Sequence, residues 1–174
     1  MKSFKEYLEE EKKKSYQIYC DLDGVLVDFI AGVMKELHKS STPNQDDIDA
    51  FLATMYGSSK NFWSQLDWMP DGKKLWDTLK DLNTEILTAC PNDCKFQPSV
   101  MRGKKMWCKK NLNMSSGVNI TTRRGKLKFA NGDKTILIDD YLKNVNEWRA
   151  KGGIGIHHKN ARTTLVELKN ILLG

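Results

Sequence analysis

Tyr16-Gln17-Ile18-Tyr19-Cys20-Asp21-Leu22-Asp23-Gly24-Val25 is the stretch on which the fold turns. Tyr16 to Cys20 leans apolar, and two carboxylates and a glycine follow it. Side chains alternate across a strand, so Asp21 and Asp23 point the same way while Leu22 points into the core. Two carboxylates held side by side repel, and a bound cation is the usual remedy. Gly24 lets the backbone turn sharply away from the strand end. Paired acids at the carboxyl end of a buried strand read as a metal-dependent site. An ordinary turn rich in Asp and Gly has the same letters, so the rest of the chain must separate the two.

Four further strand candidates follow: Thr84–Ala89, Gly117–Thr121, Thr135–Ile138 and Gly153–His157. Ile136-Leu137-Ile138 is a continuous apolar run bounded by polar residues, as expected of a strand covered on both faces. Between the strands lie helix candidates Asp71–Leu82, Ser99–Leu112, Leu142–Ala150 and Ala161–Leu172. Asn160 suits the N-cap of the last, whose Leu165, Leu168, Ile171 and Leu172 form one stripe. Strands alternating with helices predict an α/β fold with a doubly wound, Rossmann-like parallel sheet. More than sixty residues separate the first strand from Thr84, too many for one crossover helix. Phe29–Lys39 and Gln45–Met55 read as helices there, and Gly57-Ser58-Ser59 precedes Phe62-Trp63. The expectation is one domain over residues 1–174, with a core of about 15–28 and 76–174 and a small helical cap of about 29–75.

The chain has 174 residues, 40% hydrophobic and 29% charged, which suits one globular domain with a real core. No apolar run approaches the ~20 residues that span a bilayer. Met1 to Glu6 lacks the apolar stretch of a secretion signal, so a soluble, cytoplasmic protein with no membrane partner is expected. Cys20, Cys90, Cys94 and Cys108 lack zinc-finger spacing and read as free thiols in a reducing compartment. His157-His158 reads as a polar strand end rather than a metal site. The net charge of +6 suggests phosphate-bearing partners without establishing nucleic-acid binding. Residues 3–14 form a charged, helix-prone leader.

Ligands of such sheets bind outside the carboxyl ends of the strands. Those ends here carry Asp21 and Asp23, Thr88, and Asp139-Asp140, and the basic segment Arg123-Arg124-Gly125-Lys126-Leu127-Lys128 precedes the fourth strand. Acids, a hydroxyl and lysines gathered at one sheet edge are hard to attribute to packing.

With Asp21-Leu22-Asp23-Gly24-Val25, Leu87-Thr88, a lysine and Ile136-Leu137-Ile138-Asp139-Asp140 in that order, residues 16 to about 170 resemble the haloacid dehalogenase-like phosphohydrolases. A narrower resemblance is to the 5'(3')-deoxyribonucleotidases. It rests on Phe29 after Asp21-Leu-Asp-Gly-Val-Leu-Val-Asp, on Phe62-Trp63 followed by Met69-Pro70-Asp71-Gly72, and on Lys104-x-x-Trp107. The polar Asn131-Gly132-Asp133-Lys134 stretch departs from the nucleotidase pattern.

The resemblance implies an Mg²⁺-dependent phosphomonoesterase acting on nucleoside monophosphates. Asp21 would attack phosphorus and Asp23 would act as acid and base. The Asp21 carboxylate, the Asp23 backbone carbonyl and Asp140 would hold Mg²⁺, with Asp139 helping through a metal-bound water. Thr88 and the N–H of Ala89 or Asp23 would hold phosphoryl oxygens. Lys126 would neutralise the transferred group, with Lys128 as close rival and Lys104 as an alternative or second phosphate contact. Phe29, Phe62 and Trp63 would stack on the base or, equally, build the core of the cap. Trp68 and Trp76 read as packing residues. Members of the nucleotidase subfamily are often homodimers. Two readings compete: a 3'-phosphatase on nucleic-acid ends, favoured by the basic balance, and a binding protein that has lost the chemistry, disfavoured because Asp21 and Asp23 are both present.

Overall fold

A computed structural model describes residues 16–55, 61–90 and 98–174. The charged leader, the 57–59 stretch and Cys94 lie outside the described residues. Five strands form one sheet in the order β3-β2-β1-β4-β5. They are β1 (Gln17–Cys20), β2 (Thr84–Ala89), β3 (Val118–Thr121), β4 (Thr135–Asp139) and β5 (Ile154–His157). Every pairing is parallel. The fold is the doubly wound α/β sheet that the strand–helix alternation predicts.

β1 sits at the centre with its two neighbours in register, Cys20 against Ile86 on one side and Ile138 on the other. Alternation then sorts the side chains. Ile18, Cys20, Ile86, Ile136 and Ile138 join the larger core, whereas Tyr19, Leu87 and Leu137 face the other way onto Trp148. All five β4 residues are buried, as a strand covered on both faces must be. Full burial of each Leu or Ile contributes about 1.5–3 kcal/mol.

The described residues include six α-helices: α1 (Phe29–Glu36), α2 (Gln45–Met55), α3 (Gly72–Leu79), α4 (Pro98–Leu112), α5 (Leu142–Ala150) and α6 (Ala161–Leu173). The Asn160 side chain accepts from Thr163 N at 2.9 Å and so caps α6. On that helix Leu168 and Leu172 are buried, while Leu165 and Ile171 pack partly buried against the core. α3 lies against α6, which makes it part of the core layer although it follows the insert directly. No helix of the described residues is long and apolar enough to cross a membrane.

The insert after β1 is helical. Asp28 accepts from Ala31 N at 2.9 Å and caps α1. α1, α2 and a 3₁₀ turn at Phe62–Gln65 share an aromatic cluster in which Phe62 packs edge-on against Phe29, Phe51 and Trp63. α4 clamps this turn to the core. A β-carbon at Gly103 would lie 2.6 Å from Trp63 Cβ, so the two backbones approach as only glycine allows. Trp107 Nε1 donates to Leu66 O at 2.8 Å.

Candidate active site

In this strand order the chain leaves β1 toward β2 and β3, then returns to lay β4 on the other side of β1. The crevice outside the carboxyl ends of β1 and β4 is therefore the topological switch point, where ligands of such sheets bind. Asp21 follows β1 directly, and its N–H continues the pairing onto Ile138 O at 2.9 Å. Asp139 ends β4, and Asp140 follows. Carboxylate oxygens of Asp21, Asp139 and Asp140 lie within 4.8 Å of one another.

Lys126, 105 residues from Asp21 in sequence, is the cation among these acids. It is 1% exposed, and its Nζ donates to Asp21 Oδ2 and to Asp139 Oδ2, both at 2.7 Å. Burial alone would lower its pKa, but the charges of Asp21 and Asp139 outweigh burial and raise it. The lysine is therefore a fixed positive charge. Lys128, the rival from sequence, is exposed.

Asp139 is fully buried and its oxygens are committed. Oδ1 accepts from Tyr141 N at 2.9 Å, and Asn144 Nδ2 reaches both oxygens at 3.1 and 3.0 Å. Arg123 Nη1 in turn donates to Asn144 Oδ1 at 3.2 Å and to Glu147 Oε2 at 2.7 Å. Asp140 faces the cavity instead. Partial desolvation there, with the negative charges of Asp21 and Asp139, pushes its carboxyl up to about 7.

Three carboxylates thus gather beside one lysine, which pairs with two of them. An excess of negative charge on hard oxygen donors fits a divalent cation such as Mg²⁺, with Asp21 and Asp140 as the carboxylates that line the cavity. Gly24 brings Asp140 into place. Its φ is +77°, and a β-carbon there would lie 2.1 Å from Asp140 Oδ2. The two histidines stay outside the acid cluster: His157 Nε2 donates to the Asp140 carbonyl at 2.9 Å, and His158 Nδ1 pairs with Thr164 Oγ1 at 2.8 Å.

Asp23 has a separate partner. Lys104 on α4 forms an ion pair with its Oδ2 and also donates to Thr88 Oγ1 and Ala89 O, both at 2.8 Å. Burial pushes the Asp23 carboxyl up and Lys104 pulls it down, with burial the larger effect. The structure therefore puts Lys126 on Asp21 and Lys104 on Asp23.

A cavity of about 870 Å³ opens above these groups. Asp21, Asp23, Gly24 and Asp140 form its acidic end, Ala89 and Cys90 the β2 side, and Phe29, Leu52, Trp63 and Met69 an apolar wall. Phe29 and Trp63 stack nearly parallel, their planes 10° apart and their centroids 5.3 Å from each other. Arg123, Arg124 and Tyr141 line another part of the cavity. Of the three aromatic residues singled out from sequence, Phe29 and Trp63 reach the cavity, and Phe62 is buried among them and does not line it.

Solved structures of similar architecture include three hydrolases. A hydrolase from Streptococcus pneumoniae shares 13% identity with a TM-score of 0.48 over 91% of this chain and 98% of its own. A HAD-superfamily hydrolase from Ehrlichia chaffeensis shares 14% identity with a TM-score of 0.46 over 90% and 95% of the two chains. A HAD family hydrolase from Deinococcus radiodurans, with bound phosphate and sodium, shares 10% identity with a TM-score of 0.43 over 80% and 78%. No protein-family model and no curated protein matches the sequence.

Sequence reasoning missed Asn144 and the arginine wall. Asn144 stands five residues after Asp139, one turn into the helix that follows the acid pair, and that placement was the available signal. Arg123-Arg124 reads in sequence as a charge run, and only the cavity shows which way it faces.

Proposed function

We propose that this protein is an Mg²⁺-dependent phosphomonoesterase that dephosphorylates nucleoside monophosphates through an aspartyl-phosphate on Asp21. The observation that carries this reading is the Asp21–Lys126–Asp139 chain beside Asp140 at the switch point, beneath a cavity with an aromatic wall. The likeness of the sequence motifs to those of 5'(3')-deoxyribonucleotidases supports the substrate class.

An Asp21 oxygen forms a bond to phosphorus as the ester P–O bond breaks, which splits one difficult displacement into two easier ones. Asp23 gives its proton to the departing alkoxide and later takes one from the water that hydrolyses the aspartyl-phosphate. Among the described residues, Lys126 spends two of its three N–H groups on Asp21 and Asp139. The third remains for a phosphoryl oxygen, where the fixed charge offsets what gathers in the transition state. Thr88 and Ala89 at the end of β2 complete the phosphate side. Asp21, the Asp23 carbonyl and Asp140 would hold Mg²⁺. When bound, the cation supplies Lewis-acid neutralisation of the phosphoryl oxygens. Phe29 and Trp63 offer the base an apolar wall.

The test is phosphate release from a panel of ribo- and deoxyribonucleoside 5'- and 3'-monophosphates, with Mg²⁺ or with EDTA. Mg²⁺-dependent turnover of nucleotides, lost in Asp21→Asn while the fold persists, is the expected result. Activity retained in Asp21→Asn would remove the nucleophile. Arg123 and Arg124 at the cavity favour one second reading, a 3'-phosphatase on nucleic-acid ends. A 3'-phosphorylated oligonucleotide hydrolysed faster than any mononucleotide, with binding that weakens steeply in salt, would select it.

A further inference from the structure

Lys104 is among the largest fully buried side chains of the protein, 2% exposed, yet it carries a charge. A buried ammonium group persists only where its three N–H groups and its charge are satisfied. Here they are. The Asp23 carboxylate, Thr88 Oγ1 and Ala89 O take one N–H each. The Trp63 ring centroid lies 5.0 Å from Nζ and covers a further side with the negative face of its π-system. With all three donors engaged, this arrangement leaves Lys104 none for a phosphoryl oxygen. That distinguishes it from Lys126, which keeps one.

The helix that carries Lys104 also fixes the cap. Gly103 meets Trp63 backbone to side chain, and Trp107 holds Leu66 O. Five residues of α4, Gly103 to Trp107, therefore tie the 3₁₀ turn of the cap, the end of β2 and Asp23 into one unit. The contact engages Asp23 Oδ2, so Oδ1 is the oxygen left for the acid and base role, and Asp23 lines the cavity.

We propose that Lys104 is a positioning residue for Asp23, and that this contact fits the site to esters whose leaving group needs a proton, the alkyl phosphomonoesters. The inference rests on the reading of Asp23 as acid and base. In the first half-reaction the Asp21–P bond forms, the P–O bond to the leaving group breaks with its electron pair on oxygen, and the Asp23 proton moves to that oxygen. A sugar alkoxide is too basic to leave without it, whereas p-nitrophenolate leaves unprotonated. Displacing the Asp23 carboxylate therefore slows the two kinds of ester by different factors.

The experiment compares kcat and KM of wild type, Lys104→Met, Asp23→Asn and the double variant, in Mg²⁺, on glycerol 2-phosphate and p-nitrophenyl phosphate. For Lys104→Met the expected kcat loss is about 100-fold on the alkyl ester and under about tenfold on the aryl ester, within the range that general acid catalysis supplies. KM should move little on either, and the double variant should be no slower than Asp23→Asn alone. Equal losses on both esters would reduce Lys104 to a structural residue and overturn the proposal. A rise in KM at unchanged kcat would overturn it in favour of a phosphate contact. If Lys104→Met does not fold, Lys104→Gln, which keeps a donor without the charge, is read by the same criteria. Wild-type protein that hydrolyses neither ester would instead refute the phosphomonoesterase reading itself.

Discussion

Replacing Gly24 by alanine tests the acid cluster through a single methyl group. Two costs follow from the geometry. The backbone sits at φ +77°, a left-handed conformation that costs a residue with a β-carbon about 1–2 kcal/mol. For a chain of this length that lowers Tm by roughly 2–8 °C. The second cost falls on the site. The new β-carbon would start 2.1 Å from Asp140 Oδ2, so the carboxylate must retreat by about 0.9 Å to reach even the 3.0 Å floor of real Cβ contacts. A misplacement near 1 Å at reacting groups costs about 10²-fold in rate. Gly132→Ala is the matched control, since Gly132 has φ +76° and nothing within 4 Å of where its β-carbon would be. Both variants should lose similar stability by thermal melting without metal. Only Gly24→Ala should also lose the Mg²⁺-induced rise in Tm and about 10²-fold in turnover of a phosphate ester. A Gly24→Ala protein that matches Gly132→Ala in both readouts would refute the placement of Asp140 as a metal-holding carboxylate.

Three further outcomes are expected. Lys126→Met leaves Asp21 and Asp139 buried without their cation and should cost about 3–5 kcal/mol in denaturant unfolding at neutral pH. Because unpaired buried carboxyls have raised pKa values, that loss should grow as pH rises from 5 to 8, and a loss independent of pH would argue against the paired-charge account. Asp140 titrates near 7 in the metal-free protein, so a proton competes with Mg²⁺ below that pH. The folded state prefers this carboxyl protonated, so metal-free stability falls as pH rises toward 7 and beyond, and the Mg²⁺-induced shift in Tm should grow from pH 5.5 to 8; a shift that is flat with pH would contradict this. Phe62→Ala empties a buried core position and should cost about 3–5 kcal/mol, whereas Phe29→Ala removes cavity wall and should chiefly raise KM for nucleotides. Equal effects of the two on KM would show that the cavity wall is not where the substrate rests.

The strands and helices were legible because their signals are local. Ile136-Leu137-Ile138 is apolar on both faces of its own accord, and Asn160 caps the helix that it immediately precedes. The acids were legible too, since Asp21 and Asp23 follow β1, Asp139 ends β4 with Asp140 after it, and strand ends of one parallel sheet share an edge. Phe62 shows the opposite case. An aromatic residue in a helical insert has the same letter whether it faces a ligand or its neighbours, and packing against Phe29, Phe51 and Trp63 decides which.

The opening motif separates the two kinds of information. By itself, Asp21-Leu22-Asp23-Gly24 determined that two carboxylates share a strand end and that the chain turns away behind them, because alternation and a residue without a β-carbon are properties of the local backbone. It could not determine which cation serves which acid. Lys126 lies 105 residues from Asp21, and Lys104 lies 81 residues from Asp23. The resemblance singles out Lys126 and Lys104 as phosphate contacts, but nothing in the sequence says which acid each lysine pairs with. Laying β4 beside β1, and α4 across the end of β2, buries both lysines, and a buried ammonium group must find carboxylates. The assignment of partners is thus a property of the tertiary structure, where desolvation makes the pairing obligatory.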